Sequence, residues 1–368
     1  SRQSELAELS RIYDSSALSN RNILHNGAMQ VSQRHGTSSV TVSSSDHFVV
    51  DRFKIQDYSD ATFSSQQVGD APAGFMHSSK LTVTGTDTSL GTTQYQRFVQ
   101  PIEGSNISHL NWGSANAQTV TFSFHVKSSL TGTFYVFAFN SAANRSFVSA
   151  YTIDSADTWE KKIIKITGDQ SGTWLTTNGV GMYLGWSLGT GTNFQTSTLD
   201  AWQGSFEMAG SDQVNFAGTN AATWQVTGVQ LELGDSATPF EHRSYGDELQ
   251  RCERYYQVLV KHGDGSGSAA AALGATAVMY NTTYMSVPLT FRTRMRAAPT
   301  VISANSTGCF KMYRSNGNDS FDDFTSGTAR TAYAIELYNV TDMSGTQGDA
   351  GFIETVNSNA SLAVDAEL

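Results

Sequence analysis

Alternation of apolar and polar residues with a period of two is the feature that most constrains the fold of this chain. In the segment TVTFSFHVK, Val120, Phe122, Phe124 and Val126 share one face, and the other face is polar. This period is that of a β-strand with one buried face. Similar runs rich in Val, Ile, Phe, Tyr and Thr recur from Asn22 onward between clusters of Gly, Ser, Asn and Asp, which predicts an all-β sandwich.

The predicted strands form two groups, separated by a polar stretch after Pro239 and by the Gly/Ser/Ala segment at 262–274. The first group comprises residues 80–84, 119–127, 133–139, 161–167, 180–188 and 223–233. The second comprises residues 275–281, 284–291, 299–304, 329–338, 351–356 and 361–367. Pro288 confines its strand to a sheet edge or a bulge, because proline cannot donate a ladder hydrogen bond.

Two of these runs depart from simple alternation. TFYVFAF, residues 133–139, is apolar on both faces, so we expect it to be covered on two sides, with the second cover a loop or another chain. In the run from Trp224, the apolar residues change parity between Val226 and Val229. We predict a β-bulge at Gly228, which would restore a single inward face.

The length of the chain and the segments that interrupt its strand pattern indicate more than one domain. The chain has 368 residues, whereas a single hydrophobic core stops growing near about 250–300 residues. We expect an N-terminal helix at 1–20, a large β-sandwich at 21–245 and a smaller C-terminal β-sandwich at 246–368.

Two short segments have helical spacing. Leu6, Leu9 and Tyr13 form one apolar stripe, which needs a partner because so short a helix is marginal in water. These three residues are candidate oligomer contacts, although a frayed terminal peptide is the alternative. In DELQRCERYY, 247–256, Leu249, Cys252 and Tyr256 recur at helical spacing and predict a connecting helix.

Charge and cysteine content exclude several classes. The net charge is −10 and 15% of residues are charged, so the chain lacks the basic surface that nucleic-acid binding requires. No run approaches the roughly 18 apolar residues of a membrane-spanning helix, and membrane insertion is not expected. Cys252 and Cys309 are too few for a disulfide framework or a zinc site. We expect two separate buried thiols, with one disulfide as the alternative.

No catalytic, metal or cofactor motif stands out. GWSLG, 185–189, matches the nucleophile pattern of α/β-hydrolases, but it lies inside an alternating run with no helical pattern after it, so we interpret Ser187 as part of a strand. The eight histidines include no pair at i+2 or i+4, and nucleotide-binding glycine patterns are absent.

The acidic residues leave two questions open. NGNDSFDDF, 316–324, places oxygen side chains at alternate positions, but it lacks the glycine and distal glutamate of an EF-hand, so we favour a solvated turn over a calcium loop. Glycoside cleavage needs two carboxylates at a separation that spacing alone does not reveal. No pair can be selected among Asp154, Asp157, Glu160, Glu207, Asp322 and Asp323.

The tryptophans suggest both core and binding positions. Trp186 and Trp224 lie on the apolar parity of strands and are expected in the core. Trp112, Trp174 and Trp202 lie among turn residues near strand ends, where amphipathic rings commonly stack on ligands such as sugars. We name these three as candidate glycan contacts; the alternative is that they plug the open end of the sandwich.

Several segments resemble a known family. NRNILHNGAMQVSQRHGTS (20–38), DRFKI (51–55) and TGVQLELGDSATPFEHRSYGDELQRCERYYQ (227–257) resemble a module of tail-fibre and other virion appendage proteins of tailed bacteriophages. In such proteins, the first β-domain resembles the jelly roll of carbohydrate-binding modules. VPLTFRTRMRAAPTV (287–301) and AVDAEL (363–368) resemble the distal end of many phage fibres. The resemblance provides no motif that assigns a sugar contact to a numbered residue.

The resemblance implies a homotrimeric virion protein without enzymatic activity, which attaches to host surface polysaccharide and contacts other phage tail or virion proteins at its N-terminal end. Three stripes of Leu6, Leu9 and Tyr13 would then form a trimer seam, and no cofactor is expected. Two other functions stay open. One is a structural appendage, such as a head-attached fibre or tail adaptor, and the other is a glycan depolymerase.

Overall fold

The computed structural model describes residues 20–265, 269–315 and 317–368. The candidate oligomer contacts Leu6, Leu9 and Tyr13 of the expected N-terminal helix lie outside these residues. The described chain divides into two compact units: unit 1 extends to Leu249 and includes Leu368, and unit 2 comprises Gln250–Glu367. The boundary expected from the sequence, 245/246, falls at the start of the helix Tyr245–Glu253.

Unit 1 consists of two antiparallel sheets. Its strands are β1 (Val40–Ser43), β2 (Asp46–Val50), β3 (Phe53–Tyr58), β4 (Thr62–Val68), β5 (Ser78–Gly85), β6 (Tyr95–Glu103), β7 (Val120–Ser128), β8 (Gly132–Asn140), β9 (Ser146–Ile153), β10 (Glu160–Ile166), β11 (Val180–Thr190), β12 (Trp202–Gln203) and β13 (Thr223–Leu233). A short helix, Gly104–Ile107, follows β6. The six-stranded sheet has the order β1-β4-β5-β13-β7-β10, and the seven-stranded sheet has the order β12-β9-β8-β11-β6-β3-β2.

The core of unit 1 lies between these two sheets. Phe122 and Phe124 of β7 contact the ring of Trp186 of β11, at centroid distances of 5.3 and 5.2 Å. Trp186 in turn contacts Trp224 of β13 at 5.6 Å, and both tryptophans are buried as expected. Large aromatic side chains dominate such cores because each removes about 150–250 Å² from water. The all-β, jelly-roll prediction for this part of the chain is confirmed.

The predicted bulge at Gly228 is present. The pairing of β13 with β7 shifts register between Thr227 and Gln230, and Gly228 has a φ of +62°. Val226 and Val229 are consequently both buried in the core. A Cβ at Gly228 would approach the ring of Phe75 to 2.7 Å, so the position has no room for a side chain.

Strand β8 is covered on both faces, and a loop of the same chain supplies the second cover. Phe134 and Val136 point into the core between the sheets, while Phe137 and Phe139 pack against Met208 on the opposite side. Met208 belongs to the long segment between β12 and β13. The sequence allowed either a loop or another chain to cover the second face, and the structure shows a loop.

Two buried asparagines tie the start of unit 1 to its later elements. Asn22 Nδ2 donates to the carbonyl of Val229 at 2.9 Å. Asn26 Nδ2 donates to the carbonyl of Asp51 at 2.9 Å, and the Asn26 amide donates to Glu248 Oε1 at 2.6 Å. Net hydrogen bonds of this kind contribute about 0.5–1.5 kcal/mol each. We call these contacts the asparagine joint.

Unit 2 is a smaller sandwich. Its strands are β14 (Tyr256–Lys261), β15 (Ala272–Met279), β16 (Met285–Thr290), β17 (Thr300–Ser303), β18 (Phe310–Arg314), β19 (Gly317–Phe321), β20 (Thr325–Arg330), β21 (Ala334–Asn339), β22 (Ala350–Thr355) and β23 (Ser361–Asp365). They form a three-stranded sheet of order β14-β23-β17 and a seven-stranded sheet of order β19-β18-β22-β15-β16-β21-β20. An apolar core that includes Leu362, Phe310 and Ile353 lies between them. The expected C-terminal β-sandwich is confirmed.

Some predictions in unit 2 need correction. The single strand expected at 329–338 is two strands, β20 and β21, joined by a turn in which Thr331 Oγ1 accepts from the amide of Ala334 at 3.1 Å. The connecting helix ends at Glu253, and Tyr256 begins β14, where it pairs with Asp365. Ladder hydrogen bonds outweigh the helical spacing of Tyr256, because propensity is a weak prior against tertiary pairing.

The edge-or-bulge prediction for Pro288 is wrong: β16 lies between β15 and β21, and neither pairing shifts register. The pairing of β16 with β15 ends at Ser286, so β15 needs no hydrogen bond from the proline. The prediction for the cysteines holds. Cys252 and Cys309 are two separate buried thiols. Across the described ranges, no helix combines the length and the apolar character needed to cross a membrane.

Candidate functional site

The three tryptophans predicted as glycan contacts lie together at one end of the unit 1 sandwich. Trp112 contacts Trp174 at a centroid distance of 4.7 Å and Trp202 at 5.2 Å, and Trp174 contacts Trp202 at 5.2 Å, all edge to face. Trp112 and Trp174 are 8% and 7% exposed, and Trp202 is half-buried. The ring faces are therefore occupied by one another. We call this group the tryptophan cluster.

The indole N–H groups of the tryptophan cluster are also occupied. Trp112 Nε1 donates to the carbonyl of Gln118 at 2.7 Å, and Trp202 Nε1 donates to the carbonyl of Thr167 at 2.6 Å. Trp112 and Trp174 are among the residues that line a pocket of about 240 Å³. The burial and mutual packing of these rings favour the alternative stated from the sequence, that they plug the open end of the sandwich. Glycan contact at Trp112, Trp174 and Trp202 stays a prediction.

An arginine beside the tryptophan cluster is fully paired. Arg145 donates from Nε to Asp169 Oδ2 at 2.8 Å and from Nη2 to Asp169 Oδ1 at 2.6 Å. Asp169 Oδ2 also accepts from Trp174 Nε1 at 3.2 Å. The hydrogen bonds to Asp169 raise the pKa of Arg145. This two-pronged geometry is the strong form of an arginine–carboxylate contact.

A buried arginine lies on the outer face of the seven-stranded sheet of unit 1, on β6. Arg97 is 7% exposed. Five ring centroids lie within about 6 Å of its guanidinium carbon, a distance at which ring faces attract a cation. They belong to Tyr95 at 4.9 Å, Phe139 at 5.0 Å, Phe206 at 5.5 Å, Phe137 at 5.8 Å and Tyr183 at 6.0 Å. We call these five residues and Arg97 the Arg97 cluster.

The guanidinium of Arg97 lacks a carboxylate partner. Nε donates to Gln56 Oε1 at 2.8 Å, and Nη1 contacts Met208 Sδ at 3.5 Å. Within the described ranges, no carboxylate oxygen lies within 4.0 Å of it and Nη2 has no hydrogen-bond partner. Burial lowers the pKa of Arg97, yet arginine stays protonated in proteins. The cluster thus holds a positive charge with unused donor capacity.

Polar and aromatic side chains connect the Arg97 cluster to solvent. Gln56 Nε2 donates to Asp46 Oδ2 at 2.6 Å, so an amide bridges the arginine to an exposed acid. The ring of Tyr58 contacts that of Tyr95 at 4.9 Å, and Tyr58 is 48% exposed. This edge offers ring surface, a carboxylate and phenolic hydroxyls together.

The loop that covers β8 forms one wall of this site. Phe206 contacts Phe139 at 4.8 Å and Phe194 at 5.4 Å, both edge to face. Phe194, from the segment between β11 and β12, contacts Tyr95 at 5.1 Å, and Phe194 and Phe206 are both half-buried. Aromatic rings and hydrogen-bonding groups therefore border one another, as is typical of ligand sites.

Sequence reasoning missed the Arg97 cluster, although one signal was present. In YQRFVQ, Tyr95, Arg97 and Val99 share one face of β6, so a cation stands between apolar neighbours. A long basic side chain on an otherwise apolar strand face indicates either a solvent-facing edge or a buried cation with a special environment. Spacing alone does not reveal the rings from β8, β11 and the loop that surround it.

Three of the residues considered for catalysis have partners within the chain. Ser187 lies within β11, buried, with Oγ 3.4 Å from Gln213 Oε1, so its interpretation as a strand residue is confirmed. Asp154 and Glu160 both contact Lys162 Nζ, at 3.4 and 2.6 Å. Burial raises the pKa of Glu207.

The segment considered for calcium is a hairpin strand. Residues 317–321 form β19, paired with β18, and Asp322 Oδ1 accepts from the amide of Gly308 at 2.7 Å. The solvated turn favoured from the sequence is thus corrected to a strand. Asn316 lies outside the described residues. In the parts of the chain that the structure describes, no three His, Cys, Asp or Glu side chains are arranged to hold a metal ion.

The fold brings together two histidines that are twelve residues apart in sequence. Short spacings such as i+2 and i+4 do not reveal a pair of this kind. The rings of His35 and His47 lie 4.7 Å apart. Burial, and after it the neighbouring His35 and Arg34, lower the pKa of His47 to about 4. His47 is therefore neutral at physiological pH.

Unit 2 carries its own exposed aromatic row. Tyr280, 69% exposed, contacts Tyr284 at 5.5 Å, and Tyr284 stacks on Tyr338 at 5.4 Å. Glu336 Oε1 accepts from Ser286 Oγ at 2.7 Å and from Tyr284 Oη at 3.3 Å beside these rings. The carboxylate is thus already satisfied by neighbours in its own sheet.

Comparison with known proteins yields solved structures only: no family model and no curated protein match the chain. The enzymatically active domain of tailspike protein 4 of bacteriophage CBA120 is 11% identical, with a TM-score of 0.30 over 58% of this chain and 21% of that chain. This chain thus spans about a fifth of the tailspike chain it matches.

Carbohydrate-binding modules are matched at a similar level. The family 11 module from Clostridium thermocellum, in complex with a β-1,3-1,4-mixed-linked tetrasaccharide, is 12% identical, with a TM-score of 0.28 over 56% of this chain and 99% of that chain. The tandem CBM22 domain of Paenibacillus barcinonensis Xyn10C is 11% identical, with a TM-score of 0.30 over 96% and 98% of the two chains. A likeness at this level assigns no binding residue to this chain.

Proposed function

We propose that this chain is a non-enzymatic receptor-binding or tail-fibre protein of a tailed bacteriophage, and that unit 1 binds host surface glycan at the Arg97 cluster. The observation that carries the proposal is the meeting of ring surface, a buried cation and an exposed carboxylate on one face of a β-sandwich. Sugars present apolar C–H faces and rows of hydroxyl groups, so they are bound by this combination of stacking surface and hydrogen-bonding groups.

The proposal includes a homotrimer on the virion. Single sugar sites bind weakly, and several copies on one particle convert weak contacts into useful attachment through effective concentration. The resemblance of residues 20–38 and 227–257 to phage appendage modules supports the virion location and contacts with other virion proteins at the N-terminal end. Unit 2, with its exposed row of tyrosines, would then form the exposed tip.

Glycan binding is tested with the full chain and two matched tyrosine variants. Tyr58 and Tyr245 are 48% and 57% exposed in unit 1, and only Tyr58 borders the Arg97 cluster. We expect Tyr58→Ala to weaken binding to a panel of bacterial surface polysaccharides by about tenfold, since one lost ring contact is worth about 1 kcal/mol or more. Tyr245→Ala should bind like the wild type. Equal binding by all three proteins, or no binding by any, contradicts the proposed site.

The remaining parts of the proposal have separate tests. Light scattering at micromolar concentration should give the mass of three chains, and a stable monomer contradicts the trimer. Incubation with a bound polysaccharide should leave its viscosity and reducing ends unchanged. New reducing ends would identify a depolymerase instead.

A further inference from the structure

We propose that the Arg97 cluster selects glycans that carry a carboxylate, with Arg97 as the residue that binds the carboxylate oxygens. This inference rests on the proposed glycan-binding function and names the class of sugar, an acidic saccharide such as a uronic acid. It begins from an unusual feature: Arg97 is 7% exposed and has no carboxylate within 4.0 Å in the described chain. Buried charges in proteins are normally paired, since an unpaired one costs several kcal/mol.

The hydrogen bonds of Arg97 leave donor groups of its guanidinium unused. Nε is used by Gln56 and Nη1 faces only the thioether of Met208, a weak acceptor. Nη2 has no partner among the described residues. A guanidinium offers five donors in a planar fork that matches the two oxygens of a carboxylate. The N–H donors of Nη1 and Nη2 therefore remain available to the two oxygens of a carboxylate.

The charges around the site favour the same ligand. Asp46 is the acid linked to the cluster through Gln56, and it is already paired with Lys54, whose Nζ lies 3.3 Å from Asp46 Oδ2. Asp46 also attracts the guanidinium of Arg97 through space, but within the described residues no carboxylate contacts that guanidinium directly. Because the chain as a whole has a net charge of −10, general attraction of anions is excluded, and selection for an acidic sugar must be local to this cluster.

The rings explain why the ligand would be a saccharide rather than a free anion. Tyr95 contacts both the guanidinium of Arg97, at 4.9 Å, and the half-exposed ring of Tyr58, at 4.9 Å. A pyranose stacked at this edge carries its carboxyl group one bond away from the sugar ring. The stacking surface and the anion-binding group are thus adjacent. A uronic acid matches both, because its sugar ring would stack on the tyrosine while its carboxylate reaches the guanidinium.

The test compares acidic polysaccharides with their own neutral forms. Binding of the full chain is measured to galacturonan, mannuronan, glucuronan and a sialic acid polymer, each paired with its carboxyl-reduced product. We expect at least one acidic member to bind about tenfold more tightly than its reduced partner, the size of one charge-assisted contact. The wild-type ratio needs no variant, so a folding defect cannot obscure it.

Variants then assign the preference to one residue. Arg97→Met removes the cation with a side chain of similar length, and Arg97→Lys keeps the charge without the fork. Both should bring the acidic-to-neutral ratio towards one, Arg97→Met more completely, while binding of the carboxyl-reduced form persists. The control is Lys165→Gln, which removes a cation that is 55% exposed on β10 and should leave the ratio unchanged.

The outcomes separate this inference from the function on which it rests. Equal binding of acidic and reduced forms overturns the inference and leaves glycan binding in place. An acidic preference that survives in Arg97→Met also overturns it, because Arg97 would then contribute only to the packing of the side chains around it. Failure to bind any member of any pair, together with failure on neutral polysaccharides, overturns the proposed function itself.

Discussion

Unit 1 contains an arginine beside the tryptophan cluster and another within the Arg97 cluster. The two differ in the hydrogen-bond partners of their guanidinium groups. In the tryptophan cluster, Arg145 forms two hydrogen bonds with Asp169, which also accepts from Trp174. In the Arg97 cluster, the guanidinium meets an amide, a thioether and five ring faces, and no carboxylate in the described chain lies within 4.0 Å.

The difference distinguishes a cluster that is complete within the chain from the one for which we propose a ligand. A network in which each polar group has a partner rigidifies a fold, whereas a partly satisfied one is costly unless something else completes it. Asp169 is 2% exposed and completes the first cluster from within the chain. The second cluster lacks that group at an edge open to solvent. Under the proposed function, the same residue types would serve stability in one place and recognition in the other.

The largest effect is expected from breaking the internal pair. Asp169→Asn removes the charge that Arg145 needs while keeping the shape, and we expect the free energy of unfolding to fall by about 3 kcal/mol, as for other broken buried pairs. Urea unfolding measures it. The control is Asp154→Asn, which removes a carboxylate that is 71% exposed beside Lys162, with an expected change within about 0.5 kcal/mol. Equal losses in the two variants would mean that Asp169 adds nothing beyond a surface contact.

The next effect tests whether the tryptophan cluster is structural. Trp202→Ala removes a half-buried ring from Trp112 and Trp174, and we expect a loss of about 2 kcal/mol, below the range for fully buried tryptophans. Glycan binding by the folded variant should be unchanged. A variant of normal stability that no longer binds glycan would reverse the two roles and restore the tryptophans as the binding site.

Much of the fold could be predicted from the sequence, because period-two alternation reports burial directly. The strand from Thr223 to Leu233 and the bulge at Gly228 follow from residue parity alone. The strands that were missed have mixed or polar faces or are short, and these are β1, β2, β3, β4, β6, β9, β12, β14, β18 and β19. Their pairing is decided by neighbours in the sheet, which a single sequence does not display.

The candidate site was harder to predict than the fold. The tryptophans drew notice because their type and turn context suggested recognition, yet what they do depends on one another and on Asp169. The segments that resemble phage proteins include Asn22 and Asn26, which form the asparagine joint. That resemblance therefore marks a structural element. Arg97 belongs to none of these segments, and its environment comes from four separate parts of unit 1.

A smaller effect is expected when the unpaired arginine is replaced. Arg97→Met removes a buried cation that has no carboxylate partner among the described residues, and apolar replacement of buried charges is often neutral or stabilising. Loss of the ring contacts and of the donor to Gln56 offsets this gain, so we expect the free energy of unfolding to stay within about 1 kcal/mol of the wild type. A loss as large as that of Asp169→Asn would show that Arg97 is as structural as Arg145, and the comparison would fail.

The smallest effect concerns a third cationic site, where the charge can be given up. His47 lies beside His35 and Arg34, and its pKa of about 4 in the folded chain is below the ordinary value of 6.5. Between these values the unfolded chain binds more protons than the folded one, so stability falls as the pH is lowered through this window. Arg97 cannot respond in this way because a guanidinium keeps its proton.

We expect His47→Gln to flatten the dependence of the unfolding free energy on pH between about 6.5 and 4, while Arg97→Met leaves it unchanged. Parallel curves for wild type and His47→Gln would contradict the assignment of acid sensitivity to this histidine, and a curve flattened by Arg97→Met would mean that the arginine titrates through a partner not yet identified.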